Sequence, residues 1–213
     1  ALAEQLFDLM TKFAEYGFNK SHTAAYAVVT YHTAWLNAYH CAAFMAATMS
    51  ADLDNTDTIK IFYEDTIANK VVVLPPDVNQ SDYRFVPTDA KTIRYGLGAV
   101  KGVGEPAVRA ILAARESGGP FKDLFDFCCR VDKRLANRRV IEALVRAGAF
   151  DTIALTQPAD RHTLMATVGI AMEAAEQQAA NALQSGLFDI PGEAVGPMVD
   201  YVKVRPWGER EKL

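Results

Sequence analysis

The segment Tyr95-Gly96-Leu97-Gly98-Ala99-Val100-Lys101-Gly102-Val103-Gly104-Glu105-Pro106-Ala107-Val108-Arg109 combines glycines, a lysine and a proline in a spacing suited to holding an anion. Gly102 and Gly104 flank Val103, so Val103 can plug a turn into its own core while both glycines supply positive φ without steric cost. Glu105 and Pro106 then open a helix, where the missing proline N–H is no loss. Free amides therefore gather at a helix N-terminus beside Lys101. Such donors, with the helix dipole behind them, bind phosphate oxygens without reading base identity. The pattern is a helix-hairpin-helix, and Lys101, Gly102, Val103 and Gly104 are its expected contacts with a nucleic-acid backbone. The competing reading is a glycine-rich turn that only packs two helices.

Three other constellations bear on chemistry. Asn137 to Gly148 repeats the logic of the first unit and puts Arg138 and Arg139 at a helix start, where they can also meet phosphates. Lys20, Ser21 and His22 stand where a Gly-containing turn enters a helix, with Tyr26 one turn later. A cation, a hydroxyl and free helix amides can together hold a triphosphate, and Tyr26 can border the nucleotide. A helix cap at Ser21 is the plainer alternative. Gln184-Ser185-Gly186-Leu187-Phe188 fits Q-x-x-L-F, a pattern of peptides that dock on a sliding clamp. Gln184 would hydrogen-bond at a pocket rim while Leu187 and Phe188 supply adjacent apolar anchors. Asp52, Asp54 and Asp57 fail as a calcium loop, because the sixth position is Asp57 and the twelfth Tyr63. Helix capping explains them better.

Charge distribution supports the first reading. The 213 residues sum to −4. Residues 91–146 nevertheless hold 12 Lys/Arg against 6 Asp/Glu, and the remainder is correspondingly acidic. One basic block in an acidic chain points to a single DNA-facing surface. Cys41, Cys128 and Cys129 form no CxxC, which favours buried thiols in a reducing cytoplasm over disulfides or zinc. Ser21 to Ala51 carries no Asp, Glu, Lys or Arg, yet Thr30, His32, Asn37 and His40 interrupt it, so a membrane span is not expected. The chain opens inside an amphipathic pattern with no signal peptide, in the manner of an excised segment.

The elements that must position these groups are mostly helical. Periodicity predicts helices over 2–16 (stopped by Gly17), about 21–39, 42–51, 57–68 (capped by Asp54 or Thr56), 105–116, 121–130, from about 136 to Gly148, and 158–183. Short strands are expected at 71–74, 84–86 and 92–95, with a loop over 77–83. Glycine and proline recur after Gln184 and mark a flexible tail.

Four segments together resemble the alpha, catalytic subunits of bacterial replicative DNA polymerase III. They are Tyr16 to Ala27, Leu74-Pro75-Pro76-Asp77-Val78-Asn79, Gly96 to Glu105, and Phe121-Lys122-Asp123-Leu124-Phe125-Asp126-Phe127. They occur in the order and spacing of that family; His32 stands where glutamine is expected and Cys41 where proline is commoner. The resemblance implies a mainly α fold. Residues 1–70 would be the C-terminal part of the fingers, 71–150 a tandem helix-hairpin-helix DNA-binding domain with minor short strands, 151–183 a helical extension, and 184–213 a flexible clamp-binding segment and linker. It implies incoming-nucleotide contacts at Lys20, Ser21, His22 and Tyr26, and clamp attachment at Gln184, Leu187 and Phe188. Implied partners are primer–template duplex DNA, a deoxynucleoside triphosphate, the sliding clamp (beta subunit) and other holoenzyme subunits, with no membrane. Mg2+ would be held by the palm of the intact enzyme and no cofactor by this segment, which would be inactive alone. A stand-alone helix-hairpin-helix module of a repair or recombination protein, and a helical scaffold with a purely structural hairpin, are the alternatives.

Overall fold

Four helices open the chain: α1 (Leu2–Tyr16), α2 (Lys20–Tyr39), α3 (Cys41–Ala51) and α4 (Thr56–Ala68). The computed structural model describes residues 2–16, 20–154, 160–184, 200–205 and 207–208. The expected stop at Gly17 lies outside them. Helix α4 is capped by Asn55, where the sequence pointed to Asp54 or Thr56. Asn55 has the extended backbone an N-cap requires (φ −110°, ψ 91°), and its side chain accepts from the Thr58 N–H at 3.1 Å.

A three-stranded sheet follows, made of β1 (Val72–Leu74), β2 (Val86–Asp89) and β3 (Thr92–Arg94) in the order β1-β3-β2. Val73 pairs in parallel with Ile93, while β2 runs antiparallel to β3 and shifts register between Pro87 and Asp89. Pro87 has no N–H to give, which confines it to an edge strand such as β2. Helices α3 and α4 lie on this sheet. Ala42, Met45, Ala46 and Met49 of α3 bury against Ile59, Val71, Phe85 and Ile93. This core draws on residues from both sides of position 70.

Beyond the sheet come a 3-10 turn at Leu97–Ala99 and five helices: α5 (Glu105–Gly118), α6 (Leu124–Arg130), α7 (Arg138–Arg146), α8 (Asp151–Ala154) and α9 (Arg161–Gln184). Every buried residue of α7 (Val140, Ile141, Leu144, Val145) falls on one stripe, and Gly148 at φ +80° ends the unit as its position predicts. Leu124, Phe127, Ile141, Leu144 and Phe150 join Val103, Val108 and Ile111 in a second core, which α9 covers with Leu164, Val168 and Ala171. The short α8 has no counterpart in the sequence reading. The first helix of the leading hairpin is a single 3-10 turn, because Gly96 and Gly98 are committed to a close crossing with residues 82–85.

Two polar clusters join these parts. Asp77 is buried; its carboxylate accepts from the Asn79 and Gln80 amides (2.7 and 3.1 Å) and from the Thr152 hydroxyl (2.6 Å). Asn79 exchanges two hydrogen bonds with the Phe121 backbone, and Ser81 donates its hydroxyl to the Tyr95 carbonyl. The Pro-Pro-Asp-Val-Asn stretch is therefore a cross-link between sheet, α6 region and α8. Arg130 donates to the Ala114 and Gly119 carbonyls at 2.6 and 2.7 Å, pairs with Asp126 and lies over the Phe121 ring. It thereby ties the last turns of α5, at Ala114, to the Gly119 cap just beyond the helix. Burial pushes the Cys128 thiol up to about 12, and raises those of Cys41 and Cys129 as well, so none is an activated thiolate. No helix among the described residues is long and apolar enough to cross a membrane.

Candidate nucleic-acid interface

The leading hairpin closes through a hydrogen bond from the Val103 N–H to the Val100 carbonyl at 3.0 Å. Val103 itself is buried in the second core, as a plug should be, and with its amide spent on Val100 it is not the backbone contact the sequence suggested. Gly102 has φ +89°, the left-handed conformation that favours glycine, but Gly104 has φ −79° and ψ 158°. The expectation of positive φ at both glycines thus holds for one. Gly104 is instead the N-cap of α5, and extended backbone is what that position demands. Its carbonyl accepts from the Ala107 and Val108 amides at 3.1 and 3.2 Å. The Gly102 and Gly104 amides donate to nothing among the described residues, and both glycines are exposed. Lys101 beside them is exposed too. Glu105, the nearest carboxylate in sequence, is engaged by Arg109 Nε at 2.8 Å.

The second hairpin, between α6 and α7, is built on the same plan but spends more of its donors inside the turn. Ala136 takes the place of Val103 as the buried plug and Asn137 that of Gly104 as the cap. Here Asp132 takes three of the turn amides. Its carbonyl accepts from Leu135 and Ala136, and its carboxylate accepts from the Arg134 N–H at 2.9 Å. The Asn137 side chain accepts from the Val140 amide. Hydrogen bonds from Arg134 hold the Asp132 carboxyl at a pKa of about 2, so it stays ionised down to strongly acid pH. Lys133 pairs with Glu176 of α9 at 2.7 Å, Arg134 with Asp132, and Arg138 with Glu142 at 2.8 Å. Arg139 is exposed, with no ion-pair partner among the described residues.

The remaining expected sites fall elsewhere. His22 and Tyr26 come together on one face of α2, ring centroids 4.4 Å apart, with Tyr26 well exposed. Lys20 and Ser21 form the first turn of the same helix. Gln184 is the last residue of α9, while Leu187 and Phe188 lie outside the described residues. Asp52 follows the end of α3, and Asp54 and Asp57 lie on either side of the Asn55 cap. Sequence reasoning overlooked Asp132 and Asn137 as the closers of the second turn. Asp and Asn flanking a loop before a helix were the available signal.

A family model described as a helix-hairpin-helix motif matches residues 70–162, a span containing both hairpins. DNA polymerase III subunit alpha of Neisseria meningitidis serogroup B is 55% identical over 211 residues, covering 99% of this chain and 18% of that protein. The same subunit of Vibrio cholerae serotype O1 is 46% identical over 215 residues (100% and 18%), and that of Escherichia coli K12 is 45% identical over 222 residues (100% and 19%). The chain is homologous to one segment of the DNA polymerase III alpha subunit. It spans less than a fifth of the length of these curated relatives. Its mainly helical architecture and its helix-hairpin-helix region agree with the resemblance to polymerase III alpha carried by the four sequence segments.

Proposed function

We propose that this chain acts in template-directed DNA synthesis as the part of a cytoplasmic replicative polymerase that holds duplex DNA, with chemistry at the primer end left to another part of the full-length protein. The unpaired, exposed amides of Gly102 and Gly104 beside Lys101 carry this reading. They offer a phosphate two main-chain donors, a helix N-terminus and a cation, none of which distinguishes one base pair from another. A replicase needs that indifference, since it must travel over every sequence. Val103 fixes the turn from below, and Arg139 supplies a second cation from the neighbouring unit. The exposed His22–Tyr26 pair at the start of α2, with Lys20 and Ser21, is the surface assigned to the incoming deoxynucleoside triphosphate. Gln184, Leu187 and Phe188 are assigned to the sliding clamp, and other holoenzyme subunits are further expected partners.

Two measurements test these assignments. Duplex binding by the 213-residue chain should show a Kd of about 10⁻⁴ to 10⁻⁶ M, indifferent to sequence, with a log–log salt slope of about −2 or steeper. A slope near zero would favour the purely structural hairpin. Pull-down on a sliding clamp should be lost in Leu187→Ala/Phe188→Ala; retained capture would remove the assignment to Leu187 and Phe188, and a wild-type chain that captures no clamp would leave the repair-module alternative standing.

A further inference from the structure

We infer that the phosphate backbone leaves the leading hairpin along the outer ridge of α7, held there by Arg139 and Arg146, and does not enter the turn of the second hairpin. This rests on the reading of the leading hairpin as a phosphate site and says where the strand goes next.

A Cβ placed on Gly102 would stand 3.9 Å from the Ala143 Cβ, so the leading hairpin abuts the middle turn of α7. Arg139 and Arg146 lie at i−4 and i+3 from Ala143, seven residues apart on one face. At 1.5 Å per residue they are about 10 Å apart along the helix axis, equal to the rise of about three phosphates of one strand along the axis of a duplex. Both side chains are available. Arg139 is exposed, and Arg146 is as exposed as Arg138 (65%) but, among the described residues, its side chain pairs with Glu142 alone, at 3.9 Å against 2.8 Å for Arg138. Lys101, Arg139 and Arg146 thus form a cationic line across two elements that the small side chain of Ala143 leaves open.

The neighbouring cations are withdrawn from it. Arg138 is held by Glu142 on the other flank of α7, and its guanidinium lies 3.6 Å from where a Cβ on Gly169 of α9 would be. Lys133 is drawn to Glu176 of α9. In the second turn the Arg134, Leu135 and Ala136 amides are spent on Asp132 and the Val140 amide on the Asn137 side chain, so fewer main-chain donors face a phosphate there than at the leading hairpin.

The test is a salt titration of duplex binding by the 213-residue chain, followed by anisotropy of a labelled duplex. Arg146→Gln should reduce the slope by about 0.9 and the affinity about three- to tenfold, alike on all sequences, and Arg146→Lys should restore the slope. Lys133→Gln and Arg138→Gln should leave the slope unchanged. Wild-type behaviour of Arg146→Gln, in a chain whose binding is still weakened about a hundredfold by Gly102→Asp, overturns the path and spares the hairpin. A slope lost equally in Lys133→Gln or Arg138→Gln also overturns it, by placing the strand in the second turn. A wild-type chain that binds no duplex removes both readings.

Discussion

Gly102→Asp and Gly104→Asp are each expected to weaken duplex binding about a hundredfold, and only the first should cost stability. A carboxylate built on either residue would stand about 5 Å from a phosphate held by the two free amides. At an effective dielectric of about 20 that repulsion is about 3 kcal/mol, of which salt screens a part. Gly102 has room for a side chain, since only the Ala143 Cβ comes within 4 Å, but its φ of +89° strains any other residue. About 1 kcal/mol of stability should be lost there. At Gly104 the backbone is already extended and the nearest obstacle is Pro106 Cδ at 3.7 Å. Aspartate is a favoured N-cap, so stability should change by a few tenths of a kcal/mol at most. Urea midpoints and duplex titrations on the same samples separate the two effects. Wild-type affinity in Gly104→Asp would place the phosphate elsewhere.

What the sequence made legible is what depends on near neighbours. The amphipathic stripe of α7, the proline-opened start of α5 and the plug at Val103 all follow from residues a few positions apart. Pairing of Val73 with Ile93 does not, because it joins segments twenty residues apart whose short runs carry no partner information. The two hairpins look alike as strings of small and basic residues, and their difference lies in where side chains turn. Arg138 and Arg139 are adjacent in sequence, yet the helix sends one toward α9 and the other outward. Arg115, which sequence alone could place on a solvated helix face, donates to the Val78 and Ser81 carbonyls. Lys20 and Ser21 were legible as the start of a helix; their joint role with His22 still rests on resemblance.

The glycines of the leading segment divide the same way, and Gly96→Ala exposes the division. This substitution is expected to destabilise the fold by about 3 kcal/mol or more and to lower Tm by about 10 °C. Backbone conformation is no obstacle, since φ −76° and ψ 137° suit any residue. The obstacle is steric: an added Cβ would stand 2.6 Å from the Arg84 carbonyl carbon, 2.7 Å from the Tyr83 oxygen and 2.8 Å from the Phe85 nitrogen. All three are backbone atoms, which cannot swing aside as a side chain can. The crossing is fastened on both sides by hydrogen bonds from the Leu97 amide to Asp82 and from the Gly98 amide to Tyr83, at 2.8 and 3.0 Å. Phe85 is further anchored against Tyr95 and the α3 core. Small residues at 96 and 98 thus admit the chain's own backbone, whereas those at 102 and 104 are exposed and are the ones proposed to meet DNA. Gly96→Ala should therefore keep near wild-type duplex affinity in its folded fraction. A stable Gly96→Ala protein that no longer binds DNA would place the nucleic acid at Gly96 and reverse this division.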